Sequence, residues 1–283
     1  MAFVLKCMSF NLRVAAACDG VNMFFRRAPR VLEVLEREQP DLVGFQEVTD
    51  DMRTWLTEHL HGYTLQGCGR ERNCHGESML LGYRTGVCEL LALENRWLSP
   101  TPDVPGSTFG GDQSSCPRMV TAVLLRHNGS EQPFRFLNTH LDHVGAQARY
   151  LGAMEIVQRI AAWREPFVLT GDFNATPDAP EIRRITAALA GAVRALRGVN
   201  PTAGGPGVRR VSGALAGRGA VDCTAGLPGT FHDYGMLPPE KRERIDYIFT
   251  DGRCLDAYAV PDQPVNGQYY SDHNAVVALI ELP

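Results

Sequence analysis

The chain has 283 residues, of which 44% are hydrophobic and 21% charged, and its formal net charge at pH 7 is −4. No segment approaches the ~18 consecutive apolar residues of a membrane-crossing helix, and the N-terminus lacks a basic-then-apolar secretion signal. The slightly acidic charge argues against a long basic track for nucleic acid. We therefore expect a cytoplasmic protein without a membrane anchor, and a monomer.

The first part of the chain alternates between strand and helix patterns. Buried strands are predicted over residues 3–11 and 42–47. The helix between them is predicted to open at Pro29 and to end before Pro40, because proline is tolerated only in the first turn of a helix. A second helix, capped by Thr49 or Asp50, is predicted to run to about Leu60.

The pattern then changes to strands, which are predicted over residues 63–68, 78–83 and 88–97. The runs 119–126 and 134–141 flank Asn128-Gly129 and predict a β-hairpin. Asn-Gly is the pair best able to take positive φ at both central positions of a tight turn.

The rest of the chain continues the mixture of elements. A helix is predicted over residues 145–163, with its inward face formed by Leu151, Met154, Val157 and Ile160. Further elements are predicted as a strand over 167–170, a helix over 180–189, a Gly-, Ala- and Pro-rich surface loop over about 198–229, and strands over 244–249, 255–259 and 275–279. The pattern predicts one domain over residues 1–283, with two mixed β-sheets packed face to face and helices outside.

Five short polar segments stand out, and four of them follow or end an apolar strand. They are Ser9-Phe10-Asn11, Gly44-Phe45-Gln46-Glu47, Asn138-Thr139-His140, Gly171-Asp172-Phe173-Asn174 and Ser271-Asp272-His273. Polar groups at the strand ends of a compact sheet protein usually form one site, because the sheet holds them rigidly. We therefore expect these segments to meet.

The ordered segments resemble those of the endonuclease/exonuclease/phosphatase superfamily of metal-dependent phosphate-ester hydrolases. The resemblance extends to Gly76-Glu77-Ser78, Pro117-Arg118 and Arg244-Ile245-Asp246-Tyr247-Ile248. It implies a four-layer α/β/β/α sandwich and a Mg²⁺ or Mn²⁺ cofactor. The substrate it implies is a phosphate ester, whether a nucleic acid, a nucleotide, a sugar phosphate or a lipid headgroup.

A hard divalent cation prefers carboxylate and amide oxygens, and Glu47 ends its predicted strand. The resemblance makes Glu47 a metal ligand, assisted by Asn11, and leaves Asp272 near the metal. The alternative for Glu47 alone is a carboxylate at a helix N-terminus.

Asp172 and Asn174 are separated by one residue, so in extended geometry their side chains face the same way. An aspartate can take the proton of an attacking water, and the resemblance implies that Asn174 fixes the water and a phosphoryl oxygen. An Asx-turn is the local alternative for this segment.

Neighbours in an extended segment point to opposite sides, so Asp272 is poorly placed to orient His273. Asp246, which the family pattern supplies, is the expected partner. His273 either binds the phosphate as an imidazolium or acts as the base, and the sequence leaves both roles open.

The resemblance also implies that His140 donates a proton to a phosphate oxygen, held by Glu77, and that Arg118 lies near the phosphate. For Arg118 the alternative is a salt bridge at a strand edge. Asp142 and His143 are interpreted as loop structure. A competing function is a non-catalytic scaffold of the same fold that binds a phosphorylated partner, and loss of the site residues would favour it.

Overall fold

The computed structural model describes residues 2–197 and 219–283. The strands are β1 Phe3–Asn11, β2 Leu42–Val48, β3 Tyr63–Gln66, β4 Ser78–Arg84, β5 Cys88–Trp97, β6 Met119–His127, β7 Pro133–His140, β8 Phe167–Asp172, β9 Val221–Asp222, β10 Asp246–Thr250, β11 Arg253–Ala259 and β12 Val276–Leu282. The α-helices are α1 Phe24–Glu38, α2 Asp50–His59, α3 Ala146–Ala162 and α4 Pro180–Arg197, with short 3₁₀ helices at Ala17–Asn22 and Pro239–Lys241.

The strands form two mixed sheets of six strands each. The first sheet has the order β11-β12-β1-β2-β4-β3, and the second has the order β5-β6-β7-β8-β10-β9. In each sheet one central pair is parallel, β1 with β2 and β7 with β8, and the other neighbours are antiparallel. Parallel neighbours end at the same edge of their sheet, so the polar residues that end these four strands are brought close in pairs.

The strand sequences are almost continuously apolar because both faces of the sheets are covered. Along β1, Leu5 and Cys7 pack between the two sheets, whereas Met8 and Phe10 pack against α1 and α2. Helices α3 and α4 cover the outer face of the second sheet. The predicted four-layer α/β/β/α sandwich is confirmed.

The two sheets approach each other closely beneath the strand ends. A Cβ atom added to Gly44 would lie 2.1 Å from Oγ1 of Thr170 in the opposite sheet. Beside this contact, Nε2 of Gln46 donates to Oδ1 of Asn138 over 2.6 Å, and the amide of Asn138 donates to the Phe45 carbonyl over 2.7 Å. The polar residues Gln46 and Asn138 of the conspicuous segments thus connect the sheets.

Several predicted elements differ from the structure. Pro29 lies inside α1, whose first residue is Phe24, and does not open the helix. The carbonyl that Pro29 leaves without an amide partner belongs to Phe25, and this residue is exposed, so water can take the place of the lost bond. In α3, Leu151 and Met154 are only partly buried, because the face toward the core carries small residues such as Ala148 and Gly152.

The hairpin between β6 and β7 is confirmed, but its turn is not the predicted one. Neither Asn128 nor Gly129 has positive φ. The connection spans residues 128–132 and is closed by a hydrogen bond of 2.9 Å from the Ser130 amide to the His127 carbonyl. A longer connection removes the need for the left-handed turn that a two-residue loop requires.

Helix α4 continues to Arg197, well beyond the predicted end at residue 189. Residues 198–218 of the predicted surface loop lie outside the described residues. The remainder of that loop contains the short strand β9, which pairs with β10. In the described part of the chain, no helix has the length and apolarity needed to span a membrane.

Candidate active site

The five polar segments meet at one edge of the two sheets, and Asn11 lies at their centre. Its amide nitrogen donates to Oε1 of Glu47 over 3.1 Å and to Oδ2 of Asp172 over 2.9 Å. Asn11 ends β1 of the first sheet and Asp172 ends β8 of the second. This side chain therefore bridges the sheets and aligns two carboxylates.

Glu47 has a backbone conformation that is unusual for a residue with a side chain, with φ of 63°. The register between β2 and β4 shifts between Phe45 and Val48, so Glu47 sits in an irregularity of the strand. Its second carboxylate oxygen accepts a 2.8 Å hydrogen bond from the Val14 amide. Such strain at a strand end is typical of functional sites, where it re-aims a side chain.

Asp172 and Asn174 reach the site through a turn and not through the extended geometry that the spacing suggests. Oδ1 of Asp172 accepts the Asn174 amide over 2.9 Å, which is an Asx-turn, and Asn174 has φ of 49°. Both side chains still face the site, while Phe173 is buried in the core. Burial and the nearby Asp246 carboxylate raise the pKa of Asp172 to about 7.

His273 is held by Asp246, the partner that the resemblance supplies. Nδ1 of His273 lies 2.9 Å from Oδ2 of Asp246, and Nε2 lies 3.9 Å from Oδ2 of Asp172. The chain bends at Asp272, whose side chain does not contact the His273 ring through a hydrogen bond. Burial by itself lowers the pKa of His273. The charge and hydrogen bond of Asp246, together with the charges of Asp272 and Asp172, outweigh the effect of burial and raise the pKa of His273 to about 10.

His140 lies on the other side of Asp172. Its Nε2 atom is 2.8 Å from the amide nitrogen of Asn174 and 3.6 Å from Oδ2 of Asp172. The same amide nitrogen of Asn174 donates to the Leu141 carbonyl over 3.0 Å, so Nε2 of His140 is the acceptor. Burial, followed by the positive charges of Arg118 and Arg70, keeps the pKa of His140 well below its ordinary value. His140 is therefore a neutral imidazole.

Glu77 does not hold His140, contrary to what the resemblance implies. Its carboxylate instead accepts a 2.6 Å hydrogen bond from Nη2 of Arg70. Arg70 lies in the connection between β3 and β4, seven residues before Glu77, and its backbone amide also donates to the Glu77 carbonyl over 2.9 Å. The hairpin-like connection thus directs Glu77 to an arginine that the sequence argument did not identify.

Arg118 lies close to the site but is also engaged with the loop after β7. Its Nε atom is 3.4 Å from Oδ2 of Asp142, and its Nη2 atom is 2.7 Å from Nδ1 of His143. Asp142 is occupied by the loop, because it accepts hydrogen bonds from Ser114 and from the amides of residues 144 and 145. Asp142 is therefore part of the loop structure, as interpreted, whereas His143 contacts Arg118.

Arg13 is a second site residue that the sequence argument missed. Its Nε atom is 3.1 Å from Asp19 and 3.8 Å from Asp272. The hydrogen bond with Asp19 outweighs burial and raises the pKa of Arg13, and the charges of Asp272 and Glu47 contribute. The only local signal was a basic residue two positions after Asn11, and this does not indicate which carboxylates it meets.

The donor atoms of the site suit a divalent cation. Glu47, Asp172, Asp246 and Asp272 offer carboxylate oxygens in one region, and Asn11 offers an amide. Ligand atoms of Asp172, Asp246 and His273 all lie within 4.8 Å of one another, and Oδ1 of Asp246 is buried without a hydrogen-bond partner among the described residues. Hard oxygen donors of this kind are what Mg²⁺ and Mn²⁺ bind.

Comparison with known proteins places this site in context. The sequence model of the endonuclease/exonuclease/phosphatase family matches residues 8–273 of this chain. An uncharacterised protein of Acanthamoeba polyphaga mimivirus is 24% identical over 167 residues, which cover 55% of this chain. The chain spans about 60% of the length of that viral relative.

Two solved bacterial structures share the fold over nearly the whole chain. An endonuclease/exonuclease/phosphatase from Bacteroides vulgatus has a TM-score of 0.82 and 27% identity, covering 99% of this chain and 100% of its own. A mannosyl-6-phosphatase of Bacteroides thetaiotaomicron has a TM-score of 0.79 and 22% identity, with coverage of 99% and 100%. The chain belongs to the endonuclease/exonuclease/phosphatase family of phosphoesterases.

Proposed function

We propose that this protein is a divalent-metal-dependent phosphoesterase that hydrolyses a small phosphate ester by attack of water. The observation that carries the proposal is the convergence on one edge of Asn11, Glu47, Asp172 and the His273–Asp246 pair, which come from both sheets. Burying several polar and charged groups together costs folding free energy, and packing alone does not explain such a set. All residues whose loss would favour a non-catalytic scaffold are present.

Glu47, Asp272 and Asn11 would hold Mg²⁺ or Mn²⁺ at this edge. When bound, the cation polarises the phosphoryl group and stabilises the charge that develops on the leaving oxygen. Asp172, Asp246 and His273 form a second possible ligand set. We favour the first assignment, because Asp246 keeps His273 protonated and an imidazolium has no lone pair to offer a metal.

The protein side chains then divide the remaining work. Asp172 takes the proton of the attacking water, since a pKa near neutrality suits a general base. His273, kept protonated by Asp246, binds the negatively charged phosphoryl oxygens. Both amide hydrogens of Asn174 are already donated, to His140 and to the Leu141 carbonyl, so Asn174 acts through Oδ1, which accepts a hydrogen bond from the attacking water. His140 and Asn174 are in direct contact, so the neutral ring of His140 positions that amide.

A small substrate is supported by two observations. The chain has a net charge of −4, which does not favour a long polyanion. The mannosyl-6-phosphatase with the same fold, named for a sugar phosphate, covers nearly the whole chain. We therefore propose a sugar phosphate or a comparably small ester as substrate, in preference to a nucleic acid or a lipid headgroup.

The proposal is tested with p-nitrophenyl phosphate and bis-p-nitrophenyl phosphate, with added Mg²⁺ or Mn²⁺ and with excess chelator. We expect hydrolysis only with metal. Glu47→Gln should raise the metal concentration for half-maximal rate at least about tenfold, because a carboxylate ligand is lost. Glu89→Gln is the matched control, since Glu89 is exposed and pairs with Arg126. Full activity in chelator contradicts the proposal.

A further inference from the structure

Four buried nitrogen atoms near the site have no hydrogen-bond partner in the described part of the chain. They are Nε and Nη1 of Arg70, Nη1 of Arg118 and Nδ1 of His140. The three residues are 6%, 5% and 5% exposed. Unpaired buried donors are rare in folded proteins because each loses its hydrogen bonds to water without compensation, and a cluster of them needs a ligand or ordered water.

The three residues occupy one region. Burial lowers the pKa of Arg118, and the charge of Arg70 is the next largest cause of this lowering. Burial followed by the charges of Arg118 and Arg70 lowers the pKa of His140. The hydrogen bonds show the same proximity: Nε1 of Trp97 donates to the Arg70 carbonyl over 2.6 Å, and the amide of the next residue, Leu98, donates to the Arg118 carbonyl over 2.7 Å. Arg118 directly precedes β6, which pairs with the end of β7 that carries His140. Two like charges held together under little solvent create a strong preference for an anion.

The carboxylates nearby leave this preference unsatisfied. Glu77 accepts a hydrogen bond from Nη2 of Arg70, and a carboxylate oxygen of the half-exposed Glu71 lies 3.7 Å from Nε of Arg70, too far for a hydrogen bond. Asp142 lies 3.4 Å from Nε of Arg118. Asp142 also accepts several hydrogen bonds from its own loop, and these keep its pKa well below the ordinary value although burial acts in the opposite direction. The N–H donors of Arg70 and Arg118 near His140 therefore outnumber the carboxylate oxygens that accept hydrogen bonds from them.

Arg70 is held rigidly in this position. Its backbone amide donates to the Glu77 carbonyl over 2.9 Å, and its carbonyl accepts Nε1 of Trp97 over 2.6 Å. The salt bridge to Glu77 measures 2.6 Å. Because both the backbone and the side chain of Arg70 are fixed by these contacts, its guanidinium group loses little conformational freedom when it binds an anion.

We propose that Arg70, oriented by Glu77, and Arg118 form a two-arginine pocket beside His140 that binds the non-esterified oxygens of a phosphomonoester dianion. The inference rests on the proposed phosphoesterase function and specifies its substrate class. A phosphomonoester carries up to two negative charges and three free oxygens, whereas a diester carries one charge and two free oxygens. The paired N–H donors of two guanidinium groups match the charge and the three free oxygens of a monoester better than those of a diester, so Arg70 selects monoesters over diesters. Glu77 is a positioning residue in this scheme.

The test compares kcat/KM for p-nitrophenyl phosphate and bis-p-nitrophenyl phosphate in Arg70→Met, Arg70→Lys and Glu77→Gln, all at saturating Mn²⁺. In Arg70→Met we expect the monoester value to fall about 10- to 100-fold, the range for loss of a charge-assisted hydrogen bond, and the diester value to fall less than about threefold. Arg70→Lys should recover part of the loss. Glu77→Gln should shift the monoester-to-diester ratio in the same direction as Arg70→Met.

Inorganic phosphate is the direct probe of the pocket. Its dissociation constant, measured by titration calorimetry, should rise about tenfold or more in Arg70→Met and stay unchanged in Arg126→Met, a partly exposed arginine of β6 that pairs with Glu89. Equal losses for both esters, or unchanged phosphate affinity, overturn the proposal and indicate that the unpaired nitrogens bind water only. If the wild type hydrolyses neither ester, the proposed function fails, and the calorimetry alone decides whether the anion pocket exists.

Discussion

The 2.9 Å hydrogen bond between Nδ1 of His273 and Oδ2 of Asp246 joins the end of one sheet to the end of the other. His273 precedes β12 of the first sheet, and Asp246 begins β10 of the second, where it pairs with Asp172 of β8. Strands β10 and β12 contact each other, and Ile248 and Val276 belong to the same core cluster between the sheets. The pairing therefore depends on correct packing of the two sheets.

Asp246→Ala and His273→Ala should be strongly non-additive in kcat/KM. Each single change should lower the value about 100-fold, and the double variant should lose less than about threefold more, because the second change removes a group already disabled. Asp272→Ala should combine with His273→Ala more nearly additively. The measurement is a pair of double-mutant cycles at saturating Mn²⁺. Coupling confined to the Asp272 pair would show that the assignment is wrong.

Asp172→Asn should lower kcat about 100-fold or more, because it removes the proton acceptor. The melting temperature of the metal-free protein should change by less than about 3 °C, which corresponds to roughly 1 kcal/mol. Ionisation of Asp172 is opposed by burial and by Asp246, so a neutral isostere relieves repulsion while it weakens the hydrogen bonds. Thermal melts in chelator accompany the kinetics. A kcat near that of the wild type contradicts the role.

Arg27→Met should destabilise the protein by about 2–5 kcal/mol and also lower kcat. Arg27 is fully buried and donates to the backbone carbonyls of Leu12, Arg13 and Tyr270, which flank the site segments. The substitution leaves these carbonyls without their donor. Denaturant unfolding measures the loss. Arg26→Met, one residue earlier on the exposed face of α1, should be nearly neutral, and an equal effect of both changes would refute the positioning role.

His232 should make the protein sensitive to acid. Burial, with the charges of His273 and Arg242, lowers the pKa of His232 to about 4. Because this value is below that of an unfolded histidine, about 6.5, the unfolded state binds the proton first. The contribution of His232 to stability is then complete above pH 6.5 and declines as the pH falls toward 4.

His232→Gln should therefore lose less of its melting temperature between pH 7 and pH 4 than the wild type does. The comparison uses thermal melts in matched buffers. His61→Gln serves as control because His61 is exposed. Parallel pH profiles for the wild type and His232→Gln would remove this histidine from the acid response.

Much of the fold could be predicted because the central strands are apolar on both faces. In β1, alternate residues serve two different cores, and this leaves a continuous apolar run that ends at Asn11. The polar residues at such ends are conspicuous against that run, so Asn11, Glu47, His140 and Asp172 could be identified. Side-chain alternation also argued against Asp272 as the partner of His273, and the family resemblance supplied Asp246 in its place.

The sequence by itself determined which segments are strands and which polar residues end them, because burial and its periodicity are local properties of the chain. Apart from the His273–Asp246 pair, only the tertiary structure decided which side chains contact each other. Asn11 meets Asp172 across 161 positions of sequence, and Glu77 turns to Arg70 instead of His140, because strand order and loop packing set which side chains face each other. The left-handed backbone of Glu47 likewise arises from constraints that neighbouring strands and loops impose, and no local pattern encodes it.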